Sequence, residues 1–163
     1  MAYVFNIFAT PGILIRSAWE VGKFDIVHLH DFYTLQNVWL AWLSRIYKKP
    51  YVLSVHGCLE EKRIVQRGIF KQLFLTLFGK GLLKNASLVV ATSPNEVEAY
   101  KSFGIPRSKI LLMGHGIDIN EFHTEKSKLE SRKHFKLSPK SIVVTFLGRI
   151  HRIKGLDLLV EAI

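Results

Sequence analysis

Short apolar, β-branched runs recur along this chain, each followed by a polar or glycine-containing junction and, in most cases, a segment with helical spacing. Tyr3 to Ala9, Ile26 to Asp31, Tyr51 to Val55, Ser87 to Ala91, Ile110 to Met113 and Ser141 to Leu147 have this character. Runs of this length and composition predict strands buried in a sheet. Their alternation with helical patterns predicts an α/β fold, a Rossmann-like parallel sheet with right-handed crossovers and helices on both faces. In such a sheet every strand ends on the same edge, where ligands bind. The residues that close each run are therefore the first candidates for chemistry.

The intervening segments carry their own punctuation. Ile13 to Val21 predicts a short helix, and Phe32 to Tyr47 predicts a longer one that is apolar all round, hence packed between sheet and neighbours, and stopped by Lys48-Lys49-Pro50. Ser93, Pro94 and Glu96 predict a capping box with proline at the first helical position, on a helix that runs to Phe103 and ends at Gly104. Capping accounts for Ser93 and Glu96, and no chemistry is assigned to them. Thr124 to Leu137 is polar and reads as a surface helix or linker.

Three junctions offer chemistry. The second run ends in His30 and Asp31, and the third delivers His56 and Gly57. An imidazole at a strand end can bond a sugar hydroxyl or a phosphate oxygen and titrates near neutrality, and a glycine lets backbone approach a ligand. The alternative for His56 is a helix cap or a packed loop residue. The last run stops at Gly148, and Gly155 opens a segment with Leu156, Leu159, Val160 and Ile163 on one face. Arg149 and Lys154 flank that strand-to-helix junction. A guanidinium fork and an ammonium beside a helix N-terminus suit a diphosphate, whereas the alternative is a pair of solvated loop charges. His115, between Gly114 and Gly116, reads as a structural or solvent-facing side chain.

Lys and Arg number 23 against 13 Asp and Glu, giving a net charge of +10 that favours anionic partners. No recognition helix or aromatic platform supports nucleic acid among them. A hydrophobic content of 48% excludes a disordered chain, and no run is long and uncharged enough to span a bilayer. Met1 to Leu14 lacks a basic n-region and a small-residue cleavage site. The single cysteine, Cys58, excludes an internal disulfide and fits a reducing cytoplasm. No Asp, Glu and His spacing demands a metal. Leu59 to Leu83 sets Ile69, Phe70, Leu73, Phe74, Leu77 and Phe78 among Arg63, Arg67, Lys71, Lys80 and Lys84. The favoured reading is a core-facing helix with a solvated basic side, and the retained one is peripheral attachment of 59–84 to an anionic membrane surface.

Four motifs in order carry a resemblance: D-I-V-H-L-H at Asp25, S-V-H-G at Ser54, G-I-P-R-S-K-I with G-I-D-I-N-E-F from Gly104, and Gly148-Arg149 with Lys154-Gly155. Together they resemble GT-B glycosyltransferases of the family 4 type. The resemblance implies transfer of a sugar from a nucleotide diphosphate sugar to a glycan or lipid-linked hydroxyl acceptor, independent of a metal or other cofactor. Gly148, Arg149, Lys154 and Gly155 would hold the donor diphosphate, and His56 would sit near the transferred sugar. His30, Asp31 and Gly57 would be acceptor-side candidates. It also implies a partial acceptor-side domain over 1–123, a linker over 124–140 and the start of a donor domain over 141–163. The family's glycine-rich N-terminal loop and donor-domain Glu pair are not in the sequence, so little or no transfer is expected from this polypeptide alone. A non-catalytic nucleotide- or phosphate-binding module is the alternative. The implied location is cytoplasmic, with the inner face of the cell membrane as the peripheral variant.

Overall fold

The computed structural model describes residues 11–59, 69–122 and 126–163, so the Tyr3 to Ala9 run and the 60–68 part of the basic segment lie outside the described residues. Strands β1 (Val27–His30), β2 (Tyr51–Ser54), β3 (Leu88–Ala91) and β4 (Ile110–Leu112) pair in parallel, in the order β1-β2-β3-β4. This is the expected α/β, Rossmann-like arrangement. The register places Leu29, Leu53, Val89 and Ile110 in one row across the sheet. All four are buried and belong to the hydrophobic core. Because side chains alternate along a strand, the neighbouring row consists of His30, Ser54, Val90 and Leu111 on the opposite face. β1 is thus not buried on both faces as its composition predicts. His28 and His30 are exposed on either side of buried Leu29.

Helix α1 (Pro11–Glu20) runs into a 3-10 turn and packs on α2 (Leu35–Ile46). The Trp39 Nε1 donates to the Leu14 carbonyl at 3.0 Å and to Ser17 Oγ at 3.2 Å, and the Tyr47 hydroxyl donates to the Ala18 carbonyl at 2.5 Å. α2 buries Ala41 and Leu43 but leaves Trp42 and Ile46 about half exposed, so it is not enclosed all round. Sheet and α1 cover two of its sides, and a helix has more than two.

The amphipathic segment is helical from Ile69 on, as α3 (Ile69–Phe74), a π-turn (Leu75–Gly79) and α4 (Lys80–Asn85). Phe74, Leu82 and Leu83 enter the core. At Gly79 a β-carbon would come within 2.8 Å of Phe32 Cζ, so close approach of the π-turn to that fully buried ring requires glycine. The Tyr51 hydroxyl donates to the Leu82 carbonyl at 2.7 Å and ties α4 to β2, and burial pushes its phenol up to about 12. Helix α5 (Pro94–Ser102) starts on Ser93 and stops at left-handed Gly104, as its sequence predicts. Among the described residues no helix is long and apolar enough to cross a membrane.

The described chain divides into two units, one ending at Gly116 and one beginning at Ile117. In the second, Ser127 and Glu130 form a reciprocal capping box on α6 (Lys128–His134). Arg132 then donates to the Ser138 carbonyl at 2.5 Å and to the Ser141 carbonyl at 2.8 Å, fixing the chain just past the helix. The strand expected over Ser141 to Leu147 is not formed. These residues have no ladder partner among the described ones, and Ile142 and Leu147 are 93% and 99% exposed. A strand is stabilised by its neighbours' hydrogen bonds and by burial, and composition alone supplies neither. The helix expected after it does form, as α7 (Leu156–Glu161).

Candidate functional site

The parallel register brings the carboxyl ends of β1 and β2 side by side, with His30 opposite Ser54. The chain then turns sharply at both ends. Asp31 (φ 68°), His56 (φ 54°) and Gly57 (φ 71°) all adopt the left-handed region, which is uncommon for residues other than glycine. Each turn has an identifiable support. After β1, buried Asn37 on α2 donates through Nδ2 to the carbonyls of His30 at 2.7 Å and Asp31 at 2.9 Å, while Thr34 caps the helix. After β2, the Cys58 N–H closes the turn on the Val55 carbonyl at 3.3 Å.

These turns gather imidazoles. His30 Nδ1 lies 3.0 Å from His56 Nε2, within hydrogen-bond distance, so one ring donates to the other. The two rings stack with centroids 5.3 Å apart and planes at 10°. His115, beyond β4, also stacks on His56 at 5.7 Å, and His28 lies 4.2 Å from His30. His28 Nε2 also bonds Ser54 Oγ at 2.8 Å. Four imidazoles therefore form a row along one edge of the sheet. Among the described residues no group of three or more His, Cys, Asp or Glu side chains is arranged to hold a metal ion. The rings stack and pair instead of converging on one point. Their chemistry is that of proton-sharing donors and acceptors at a strand edge, suited to hydroxyl or phosphate oxygens.

Of the residues singled out from sequence, His30, Asp31, His56 and Gly57 are brought together here. His28 and His115 join them, although the sequence reading gave neither a ligand role. The alternation of β1 puts His28 on the face of His30, and this signal was available. The proximity of His115 depends on the register of β4 and was not. Asn37 and Glu96 are further participants: from sequence Glu96 reads as a cap, and nothing sets Asn37 apart. The Glu96 side chain is 1% exposed and accepts from the Gly57 N–H, the Thr92 N–H at 2.6 Å and the Thr92 hydroxyl at 2.7 Å. Beside it, burial and then the Glu96 charge push the Tyr100 phenol well above its ordinary range, and that hydroxyl donates to the Val90 carbonyl at 2.9 Å.

Gly148, Arg149, Lys154 and Gly155 lie in the second unit. Arg149 and Lys154 are exposed, and Gly155 is left-handed (φ 63°) at the N-cap of α7. Lys154 and Gly155 are set by backbone bonds to the carbonyls of His151 at 2.8 Å and Arg152 at 3.1 Å. α7 has six residues and carries Asp157 in its first turn, so its dipole adds little attraction for an anion beyond what that carboxylate already takes up. An open concavity beside the loop is lined by Arg152 but also by Asp157 and Glu161, and neither Arg149 nor Lys154 borders it.

Desolvation, then the neighbouring His30 and His56, lowers the pKa of His28. A group that charges less readily in the folded chain binds fewer protons there than in the unfolded chain. Its contribution to stability is therefore complete above the unfolded value of about 6.5 and is lost as pH falls through the window down to the folded value. Imidazole NMR titration is expected to place His28 below the ordinary histidine range, and His30→Gln is expected to raise it only partway, because desolvation is the larger cause. A midpoint at or above 6.5 for His28 contradicts this reading.

The profile of Glycosyltransferase Family 4 matches residues 4–121. A D-inositol 3-phosphate glycosyltransferase of Actinosynnema mirum is 28% identical over 159 residues, covering 94% of this chain and 37% of that protein. The protein of the same name from Jonesia denitrificans is 27% identical over 161 residues, with 94% and 38% covered. The chain thus spans somewhat more than a third of the length of these relatives. Among solved structures, Anabaena HepE in complex with UDP superposes with a TM-score of 0.59 at 22% identity, over 76% of this chain and 32% of that one, a likeness of fold. Its complex with UDP-glucose gives 0.57. The match over most of the chain, on the sheet whose edge carries the imidazole row, makes this chain a member of Glycosyltransferase Family 4.

Proposed function

We propose that this chain contributes the acceptor-side half of a transfer site, in which a sugar moves from a nucleotide diphosphate sugar to a hydroxyl of a glycan or lipid-linked acceptor. The observation that carries this reading is the paired His30 and His56 at the carboxyl edge of the parallel sheet. His56 orients the transferred sugar or the acceptor hydroxyl, with His30 fixing its ring, and Asp31 and Gly57 lie on the acceptor side. Donor relatives of this fold support the nucleotide part, since HepE was solved with UDP and with UDP-glucose. Gly148 and Gly155 let backbone approach the donor diphosphate. Arg149 and Lys154 offset charge on the leaving diphosphate, which takes the place a divalent cation fills elsewhere, so no cofactor is assigned.

Titration of the isotopically labelled chain with UDP and UDP-glucose tests the donor half. Saturable shifts are expected at the amides of Arg149, Lys154 and Gly155. Arg149→Ala is expected to weaken binding about 10- to 100-fold, the loss of about 1.5–3 kcal/mol for a hydrogen bond to a charged group. Shifts that do not saturate, or that survive Arg149→Ala unchanged, overturn the diphosphate assignment.

We also propose peripheral attachment through 59–84, on the cytoplasmic side of the membrane. Ile69, Phe70, Leu73 and Leu77 are more than half exposed, with Lys80 and Lys84 exposed on the continuing helix. That arrangement supports insertion of an apolar stripe beneath anionic headgroups. Co-sedimentation is expected to be stronger with phosphatidylglycerol vesicles than with phosphatidylcholine vesicles and to fall on Leu73→Asp. Equal binding to both vesicle types removes the proposal.

A further inference from the structure

Glu96 occupies the third position of α5, where a glutamate ordinarily completes a capping box by reaching back to the N-cap backbone. The chain contains that ordinary arrangement elsewhere. Glu130 is exposed and bonds the Ser127 N–H at 2.7 Å while Ser127 caps the helix. Glu96 departs from it in two ways. Its side chain is almost fully buried, and its carboxylate bypasses Ser93 for the Thr92 N–H, the Thr92 hydroxyl and the Gly57 N–H. Ser93 alone supplies the cap, accepting from the Glu96 N–H at 3.3 Å.

A buried carboxylate is costly unless its oxygens are met by donors, and capping α5 needs no such burial. Here both oxygens are used. Oε2 takes the two donors of Thr92, at the end of β3, and Oε1 takes the amide of Gly57, beyond the end of β2. Gly57 follows His56, and the two are consecutive left-handed residues. A turn of that kind needs outside support, because His56 gains nothing from the left-handed region by itself. The position of the imidazole against His30 and His115 follows from the turn. The hydrogen bonds of the Glu96 carboxylate go to Gly57 and Thr92, beside the imidazole's own turn.

We propose that Glu96 is a positioning residue for His56, a carboxylate clamp between the ends of β2 and β3 that holds the His56-Gly57 turn so that the imidazole stays on His30. The assignment of function to that imidazole rests on the transfer-site reading, while the clamp itself is a property of the folded chain.

Hydrogen exchange in the unaltered chain gives the first test. The Gly57 amide, though it belongs to a turn, is expected to exchange about a hundredfold or more slowly than in an unstructured peptide. Exchange at the unstructured rate overturns the clamp. The second test follows the imidazole signals of His56 and His30. Glu96→Gln keeps the shape but offers one acceptor oxygen where the carboxylate offers two. It is expected to release the Gly57 amide to fast exchange and to shift both rings' resonances. Glu96→Asp, shorter by one methylene, is expected to do so in part and serves if the first variant does not fold. Val97→Ala, next in the chain and buried, is the control for general destabilisation. It is expected to lower the melting temperature and leave the His56 signals in place.

A folded Glu96 variant with unchanged His56 signals, or a control that moves them equally, reduces Glu96 to a structural residue and overturns the proposal. If neither Glu96 variant folds, the exchange rate of Gly57 in the unaltered chain decides. None of these readings needs nucleotide or acceptor. Failure of donor binding would leave the clamp standing, and failure of the clamp would leave the donor assignment untouched.

Discussion

The parallel ladder is the constraint on which the site depends. When neighbouring strands run the same way, their ends leave the sheet on one edge, and the connecting chain must return along the fold before the next strand begins. In this chain that geometry collects His30, His56, Thr92 and His115 from segments far apart in sequence. The register does the finer work, since His30 opposite Ser54 leaves the two-residue step from Ser54 to His56 to bring the second imidazole against the first. A slip of one residue would send both histidines of β1 to the core face and bring Leu29 out. The buried row of Leu29, Leu53, Val89 and Ile110 opposes that slip.

Polar contacts complete what burial begins. Asn37 secures the turn after β1 and Glu96 the turn after β2. Asn37 comes from the helix that follows β1, and Glu96 from the helix that follows β3, the neighbour of β2, so helix packing and turn geometry are coupled. The Tyr51 and Tyr100 hydroxyls add links between helices and sheet, each satisfying a buried carbonyl that would otherwise lose its water partner. The resulting edge is polar, while α3 and the π-turn leave Ile69, Phe70, Leu73 and Leu77 in solvent.

Much of this was legible in the sequence because it depends on local rules. The apolar runs marked the four strands to within a residue or two, and Ser93, Pro94 and Gly104 marked both ends of α5. His30, Asp31, His56 and Gly57 were legible as strand-end residues. What was not legible depends on distant partners. Glu96 looks like a capping residue to anyone reading four positions, and only the approach of Gly57, from an earlier strand, shows otherwise. His115 needed the register of β4. Ser141 to Leu147 has the composition of a strand, but without a neighbouring ladder among the described residues it remains unpaired, and Arg132 fixes only its beginning.

The account stands or falls on the contact between His30 and His56, because register, turn support and proposed chemistry meet there. Through-hydrogen-bond nitrogen–nitrogen scalar coupling, measured on chain carrying ¹⁵N-labelled histidine, reports that contact directly. The account predicts a resolvable coupling between His30 Nδ1 and His56 Nε2, one ring donating to the other. The absence of any coupling between those two nitrogens would contradict it.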